Sequence, residues 1–139
     1  MAVIPYLQFD GDCADALKFY EAALGASISM LLRVSDAPDP SQAPPGLPPE
    51  AVMHAEFTVA GAMIMASDGR PGADGAQSVS VALQTQDPLE AKRWFDGLSA
   101  GAEIQTPFAE TFFSPGFGVL TDTFGVSWFV MTLEPEDDL

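Results

Sequence analysis

One histidine and one glutamate lie two residues apart in a segment whose pattern is typical of a β-strand. In this segment, Val52 to Ala60, apolar residues alternate with polar ones: Met53, Ala55, Phe57 and Val59 against His54, Glu56 and Thr58. Because successive side chains of a strand point to opposite faces, His54 and Glu56 leave the same face, roughly 6 to 7 Å apart. That spacing predicts an acid/base pair acting through a small ligand or a water. The alternative is a solvated polar face with no chemical role.

Two further polar side chains are expected on the face that carries His54 and Glu56. The first predicted strand, Val3 to Phe9, places Tyr6 and Gln8 on one side and its apolar residues on the other. We expect Tyr6 and Gln8 to orient the ligand that the acid/base pair meets.

A glycine-containing segment in the second half of the chain carries an aromatic cluster. Phe112, Phe113 and Phe117 flank it, and their rings can stack on a planar ligand. Glu110, near the end of a strand predicted over residues 103–111, is a further candidate for ligand binding. For at least one of the rings, core packing or contact with a second copy is the alternative.

Two residues that often carry chemistry have structural explanations here. Cys13 begins a predicted helix and has no second cysteine to pair with, so we expect a buried, small apolar residue. Asp122 is expected to bond its own backbone in a turn. With one cysteine no internal disulfide is possible, which fits the cytoplasm.

Composition bounds the kinds of partner. The 139 residues are 47% hydrophobic and carry 20 acidic against 5 basic side chains, a net charge of −15. That charge argues against nucleic acid and anionic membranes as partners, because both would repel the chain. It suits a neutral or cationic small molecule, or serves solubility alone. The sequence has no apolar run of about 18 residues and no basic leader segment, so we expect neither a membrane span nor a signal peptide.

The chain repeats one pattern at an offset of about 75 residues, roughly half its length. Each copy has an aspartate, then an acid, an alanine and an aromatic pair at fixed spacing: Asp12, Asp15, Ala16, Phe19, Tyr20 and Asp87, Glu90, Ala91, Trp94, Phe95. The pattern predicts two helices, capped at their N-termini by Asp12 and Asp87 with Asp15 and Glu90 completing capping boxes. Gly25 and Gly101 are expected to close them.

The predicted order of elements is β-α-β-β-β, twice, which makes an α+β protein. One domain contains a first module at 1–70 and a second at 76–133, followed by an acidic tail at 134–139. Residues 35–50 hold six prolines and form a lid, a binding loop or a disordered insertion. Because one helix covers one face of a sheet, we expect the two modules to pair around a shared concave cavity.

Several segments match the pattern of a known family. They read PYLQF at 5–9, HAEF at 54–57, ETFF at 110–113 and FGVLTDTFGVSW at 117–128. These segments resemble the PhnB-like proteins of the vicinal-oxygen-chelate superfamily, which includes glyoxalase I, bleomycin-resistance proteins and extradiol dioxygenases. The resemblance implies paired βαβββ modules, a small-molecule ligand and a homodimer.

Some members of this family are described as demethylubiquinone methyltransferases. A methyl donor such as S-adenosylmethionine is usually held by a glycine-rich turn between a strand and a helix. The first such turn here, Phe9 to Asp12, has one glycine and two carboxylates, which predicts a poor cradle.

The resemblance also indicates where a metal would bind. Metal-dependent members carry His or Glu ligands on the first and last strands of each module. The matching positions here are Ile4 to Tyr6, Met63 to Ala66, Val79 to Leu83 and Trp128 to Val130. None supplies an imidazole or a carboxylate, whereas a divalent ion needs three or four such ligands. We therefore expect no metal site and no cofactor.

Three functional hypotheses follow. The first is a protein that binds a small organic ligand in the cavity between the modules, without a metal. The second is an enzyme of the superfamily that uses His54 and Glu56 as an acid/base pair. The third is a protein-interaction module with a vestigial cavity.

Overall fold

The computed structural model describes residues 4–39, 46–69, 80–111 and 113–134. The chain divides into two compact units, Met1–Gly75 and Ala76–Leu139. Each unit combines an α-helix with a four-stranded sheet in the order β-α-β-β-β. The predicted α+β class with two βαβββ modules is therefore confirmed. In the described ranges no helix is long and apolar enough to cross a membrane.

The first unit has five regular elements and one 3₁₀ turn. They are β1 (Tyr6–Gln8), α1 (Cys13–Leu24), β2 (Ser27–Arg33), the turn Val34–Asp36, β3 (Val52–Val59) and β4 (Ala62–Ser67). The strands lie in the order β1-β4-β3-β2. Strand β1 runs parallel to β4, whereas the other neighbours are antiparallel.

The second unit repeats this arrangement. Its elements are β5 (Ser80–Thr85), α2 (Pro88–Leu98), β6 (Glu103–Ala109), β7 (Gly116–Thr121) and β8 (Ser127–Thr132). The strand order is β5-β8-β7-β6, with β5 parallel to β8 and the other pairs antiparallel. The sequence repeat is thus a repeat of topology.

Each helix packs an apolar stripe against its own sheet. The stripe of α1 is buried as the helical spacing predicts: Cys13, Ala16, Leu17, Tyr20 and Leu24. The Tyr20 ring stacks on Phe57 of β3, with centroids 5.9 Å apart and planes 18° apart. The stripe of α2 is also the predicted one: Ala91, Trp94, Phe95 and Leu98.

Two glycines let aromatic rings lie against the backbone of β7. A Cβ at Gly118 would lie 2.6 Å from Cε2 of Phe95, and one at Gly116 would lie 2.6 Å from Cζ of Phe108. The two rings contact each other, with centroids 5.5 Å apart. Close packing of α2 and β6 on β7 therefore depends on the absence of a side chain at Gly116 and Gly118.

The prediction that Asp12 caps α1 through its carboxylate is wrong. Asp12 occupies the N-cap position, but its backbone is not extended there and its side chain makes no capping hydrogen bond. The backbone N–H of Cys13 donates instead to Oδ1 of Asp68, at 2.9 Å. Burial and the nearby Asp68 carboxylate raise the pKa of Asp12.

Helix α2 is capped largely as predicted. The Asp87 carboxylate accepts from the N–H of Leu89 at 3.0 Å, with Pro88 in the first turn. The Glu90 half of the predicted capping box is wrong, because the Glu90 carboxylate accepts from the hydroxyl of Thr85 at 2.8 Å. The same hydroxyl accepts from the N–H of Asp87.

Helix and strand ends differ from the predictions by a few residues. Gly25 closes α1 in the left-handed conformation as expected, whereas α2 ends at Leu98, before Gly101. Strand β6 ends at Ala109, two residues before the predicted end, and the N–H of Thr111 donates to the Ser114 carbonyl at 2.9 Å.

Some sequence-based predictions lie wholly or partly outside the described residues. They concern the centre of the proline-rich loop (40–45), most of the loop between the modules (70–79), Phe112 and the last five residues. The base of the proline-rich loop is described: Val34 N–H donates to the Ala51 carbonyl, and Arg33 Nη1 donates to the Glu50 carbonyl at 2.6 Å.

Asp68 ties three elements of the first unit together. It follows β4, is 2% exposed, and accepts from the N–H groups of Cys13 and Val52 at 2.9 and 2.8 Å. Its own N–H donates to the Val52 carbonyl. One buried carboxylate therefore joins the end of β4 to the starts of α1 and β3.

Cys13 is fully buried, which confirms its interpretation as a small apolar residue. Burial, and secondarily the Asp68 and Asp12 carboxylates, raise the pKa of the thiol from 9.0 to about 12. The N-terminal position on α1 therefore does not activate this cysteine.

We expect Asp68→Ala to lower the free energy of unfolding by about 2–4 kcal/mol, because two buried N–H groups lose their acceptor. Urea denaturation beside the parent protein measures the loss. Asp36→Ala is the matched control, since the Asp36 carboxylate also accepts a backbone N–H, from Arg33, but in an exposed turn. If both variants lost the same free energy of unfolding, the stabilising role of the buried Asp68 carboxylate would be contradicted.

We expect the native protein to resist alkylation of Cys13 by iodoacetamide at about pH 8. A thiol pKa of about 12 in place of 9.0 lowers the thiolate fraction roughly a thousandfold. Mass spectrometry of native and urea-denatured samples gives the two rates, and the single cysteine makes the modified site unambiguous. Comparable rates in the two samples would contradict the burial of the thiol.

Candidate functional site

Side chains from all four strands meet on the face of the first sheet opposite α1, which we call the far face of the first sheet. They are exposed or half-buried, and the strand registers place them together: Tyr6 on β1, Met63 and Met65 on β4, His54, Glu56 and Thr58 on β3, Met30 and Leu32 on β2. Strand alternation separates this set from the buried residues that face α1.

Tyr6 reaches the histidine because β1 pairs with β4. Met65 lies opposite Tyr6 on one side and opposite Glu56 on the other. Tyr6 and Glu56 therefore share one cross-strand row, and His54 lies in the next same-face position along β3.

Three side chains form a continuous hydrogen-bonded chain on the far face. The Oη of Tyr6 lies 3.1 Å from Nδ1 of His54, and Nε2 of His54 lies 3.0 Å from Oε2 of Glu56. The phenol and imidazole rings are 5.7 Å apart and tilted by 38°. Both ring nitrogens of the histidine are thus engaged by side chains, which holds its plane in one orientation.

The direct contact between His54 and Glu56 differs from the expected one. The sequence predicts that the pair acts through a ligand or a water, but the two side chains bend toward each other and bond directly. Their side chains are still 27% and 22% exposed, so both remain accessible from the far face.

Exposed apolar side chains surround this polar chain. Met30 is opposite Glu56, Leu32 is opposite His54, and Met63 is opposite Thr58. Their exposed fractions are 40%, 38% and 37%. A solvated polar face has no need of large apolar residues at these positions, whereas apolar side chains grouped around polar ones are typical of a binding surface.

Gln8 lies on the far face as predicted, one same-face position beyond Tyr6. It is opposite Ser67, and its amide end lies close to Gly69, where a Cβ would be 3.4 Å from Nε2. Gln8 therefore borders the hydrogen-bonded chain along β1.

Sequence reasoning missed Met30 and Leu32. The alternation that should reveal them is interrupted, because the register of β2 shifts between Ile28 and Met30. The pairing of Leu32 with His54 could be found only from the register of β2 on β3.

The second unit carries an aromatic cluster on the face of its sheet opposite α2. Phe113 contacts Phe117 edge-on at 5.1 Å, and Phe117 contacts Phe129 edge-on at 5.9 Å. Phe113 is 50% exposed, so core packing does not explain its position. Phe129 is missing from the predicted set, although its alternation with the buried Trp128 and Val130 on β8 indicates this face.

Glu110 and Asp122, two other residues considered in the sequence analysis, are not part of the aromatic cluster. Glu110 is exposed and follows the end of β6. Asp122 is a turn residue as predicted: its carboxylate accepts from the N–H groups of Phe124 and Val126, and also from Nε1 of Trp128 at 2.8 Å.

The donor set does not fit the superfamily metal site. At the matching positions of the described strands, the side chains on the face opposite the helix are Tyr6, Met63 and Met65 in the first unit and Ser80, Ala82 and Phe129 in the second, none of which carries an imidazole or a carboxylate. Thioethers and benzene rings are not ligands for a hard divalent ion. No group of three or more His, Cys, Asp or Glu side chains able to hold a metal occurs in the described part of the chain. The expectation of a metal-free protein stays a prediction.

Known proteins match the chain along nearly its full length. The model of a family described as 3-demethylubiquinone-9 3-methyltransferase matches residues 1–131. Protein YjdN of Escherichia coli (strain K12) is 36% identical over 144 residues, which cover 98% of both chains. Protein PA1353 of Pseudomonas aeruginosa is 33% identical, with a TM-score of 0.83 over 96% of this chain and 98% of that one.

Other solved structures extend the likeness. A Bacillus cereus PhnB protein, called a putative 3-demethylubiquinone-9 3-methyltransferase, is 25% identical, with a TM-score of 0.77 over 95% of this chain and 99% of its own. The fosfomycin resistance protein FosX of Listeria monocytogenes shares the fold at 15% identity, with a TM-score of 0.66 over 100% and 98% of the two chains. The chain therefore belongs to the PhnB-like family, whose model is described as 3-demethylubiquinone-9 3-methyltransferase.

Proposed function

We propose that this chain binds a small organic ligand on the far face of its first sheet. The Tyr6–His54–Glu56 chain is the polar anchor, and Met30, Leu32 and Met63 contact the apolar part of the ligand. The single observation that carries the proposal is the engagement of both histidine nitrogens, at 3.1 and 3.0 Å, on an accessible face.

Stability alone does not account for this arrangement. A partly exposed hydrogen bond between side chains contributes little to the free energy of unfolding, because water competes for the same groups and ordering the side chains costs entropy. The exposed parts of Met30, Leu32 and Met63 contribute nothing through burial while they remain in water. A ligand that covers the patch removes that apolar surface from water and meets a preorganised polar group.

Methyl transfer, which the description of the family names, finds no support in the strand-to-helix turns. The N-terminus of α1 is already taken by the Asp68 carboxylate, and that of α2 by the Asp87 carboxylate. At each N-terminus one backbone N–H group is therefore unavailable to the carboxylate of a methyl donor.

An acid/base enzyme is the second candidate. The direct bond between His54 and Glu56 favours it, since a carboxylate that orients an imidazole is a recurring arrangement in catalysis. On this alternative the far face binds a substrate and His54 moves a proton.

The cavity between modules, the homodimer, the cytoplasmic location and the ligand contacts of Gln8, Glu110, Phe112, Phe113 and Phe117 stay predictions. The proposal uses the first unit alone, so it does not depend on them.

We expect a thermal-shift screen of small organic compounds to find a ligand whose affinity depends on the Tyr6–His54–Glu56 chain. Tyr6→Phe removes one hydroxyl and should weaken binding about tenfold, the usual effect of one lost hydrogen bond. His54→Ala should weaken it at least as much, and isothermal titration calorimetry measures both.

Thr58→Ala is the matched control, because Thr58 lies on the same strand and face, two residues beyond Glu56. It should leave affinity unchanged. Ligands that bind all three variants equally would contradict the proposal. Turnover that His54→Ala abolishes while affinity persists would favour the enzyme instead.

A further inference from the structure

The position of each proton in the Tyr6–His54–Glu56 chain follows from the partners. A neutral imidazole has one N–H donor and one acceptor nitrogen, whereas an ionised carboxylate only accepts. Nε2 of His54 lies 3.0 Å from Oε2 of Glu56, so Nε2 must carry the proton and donate it. When the ring is neutral, Nδ1 is then its acceptor nitrogen.

The same assignment fixes the direction in which the Tyr6 hydroxyl points its proton. Its oxygen lies 3.1 Å from Nδ1, and an unprotonated Nδ1 can only accept. The one proton of the phenol therefore points inward, toward the histidine. Tyr6 is 43% exposed, and with its proton turned inward the phenol oxygen can offer only lone pairs to a ligand.

The atoms of the Tyr6–His54–Glu56 chain that face outward are all hydrogen-bond acceptors. Glu56 adds its carboxylate oxygens, and its side chain is 22% exposed. The residues that the structure places on this face include no lysine or arginine. The whole protein carries a net charge of −15, so its field also favours cations.

On these grounds we infer that the far face of the first sheet selects an organic ammonium ion, with N–H groups that donate to Tyr6 and Glu56. The inference rests on the proposed function and names its ligand class. The apolar body of the amine lies on Met30, Leu32 and Met63. A carboxylate or phosphonate is disfavoured, because its oxygens would face lone pairs and a negative charge.

The proton assignment can be tested without any ligand. The chain has a single histidine, so a nitrogen-15 spectrum of the labelled protein contains one imidazole. At about pH 8, above the ordinary titration range of histidine, we expect a protonated Nε2 and an unprotonated Nδ1. A protonated Nδ1 would overturn the inference and leave the proposed binding of some other ligand intact.

Binding is tested with two probes that share an apolar body, 4-phenylbutylamine and 4-phenylbutanoate. We expect calorimetry to show the amine binding at least about tenfold more tightly than the acid. Glu56→Gln should remove most of that preference, since it removes the charge, whereas Glu103→Gln, which removes an exposed carboxylate of the second unit, should keep it.

The outcomes separate the two proposals. If the acid binds as tightly as the amine, or more tightly, and Tyr6→Phe weakens it, the binding face stands and the selection of cations is wrong. If neither probe binds in a manner that depends on Tyr6, the inference is overturned, while the compound screen still tests the proposed function.

Discussion

Each unit sets a single helix against a four-stranded sheet, and this constraint governs the rest of the structure. A strand presents two faces, but α1 and α2 each cover only one of them. Core residues therefore collect on one side, where Phe57 meets Tyr20. The other side of the first sheet is released from core packing, and it carries the Tyr6–His54–Glu56 chain.

How much of this could be predicted depends on the range of the interaction. The buried stripes of α1 and α2 follow from helical periodicity within the segment, and all of their predicted members are buried. The shared face of His54 and Glu56 follows from alternation within one strand. The contact between Tyr6 and His54 does not, because it depends on which strand β1 pairs with and in which register.

The capping of α1 shows the same limit from another side. Local rules predict that the Asp12 carboxylate caps α1. The first N–H of the helix, that of Cys13, donates instead to Asp68, which lies 55 residues further along the chain. In α2 the local rule holds, because the Asp87 carboxylate itself accepts from the N–H of Leu89. Local capping rules hold where tertiary structure offers no better acceptor. Likewise, Met30 and Leu32 join the site only through a shift in the register of β2.

The two sheets have the same topology, but different side chains lie on the face opposite the helix. The first sheet carries the Tyr6–His54–Glu56 chain there, and the second carries an aromatic cluster. Side chains on these faces lie outside the core that α1 and α2 cover, so replacing them should disturb the scaffold less than replacing core residues would. An ancestral duplication would thus supply two platforms that mutate independently, each free to acquire new specificity. Chemical diversity among descendants of such a scaffold then requires neither new topology nor a repacked interior.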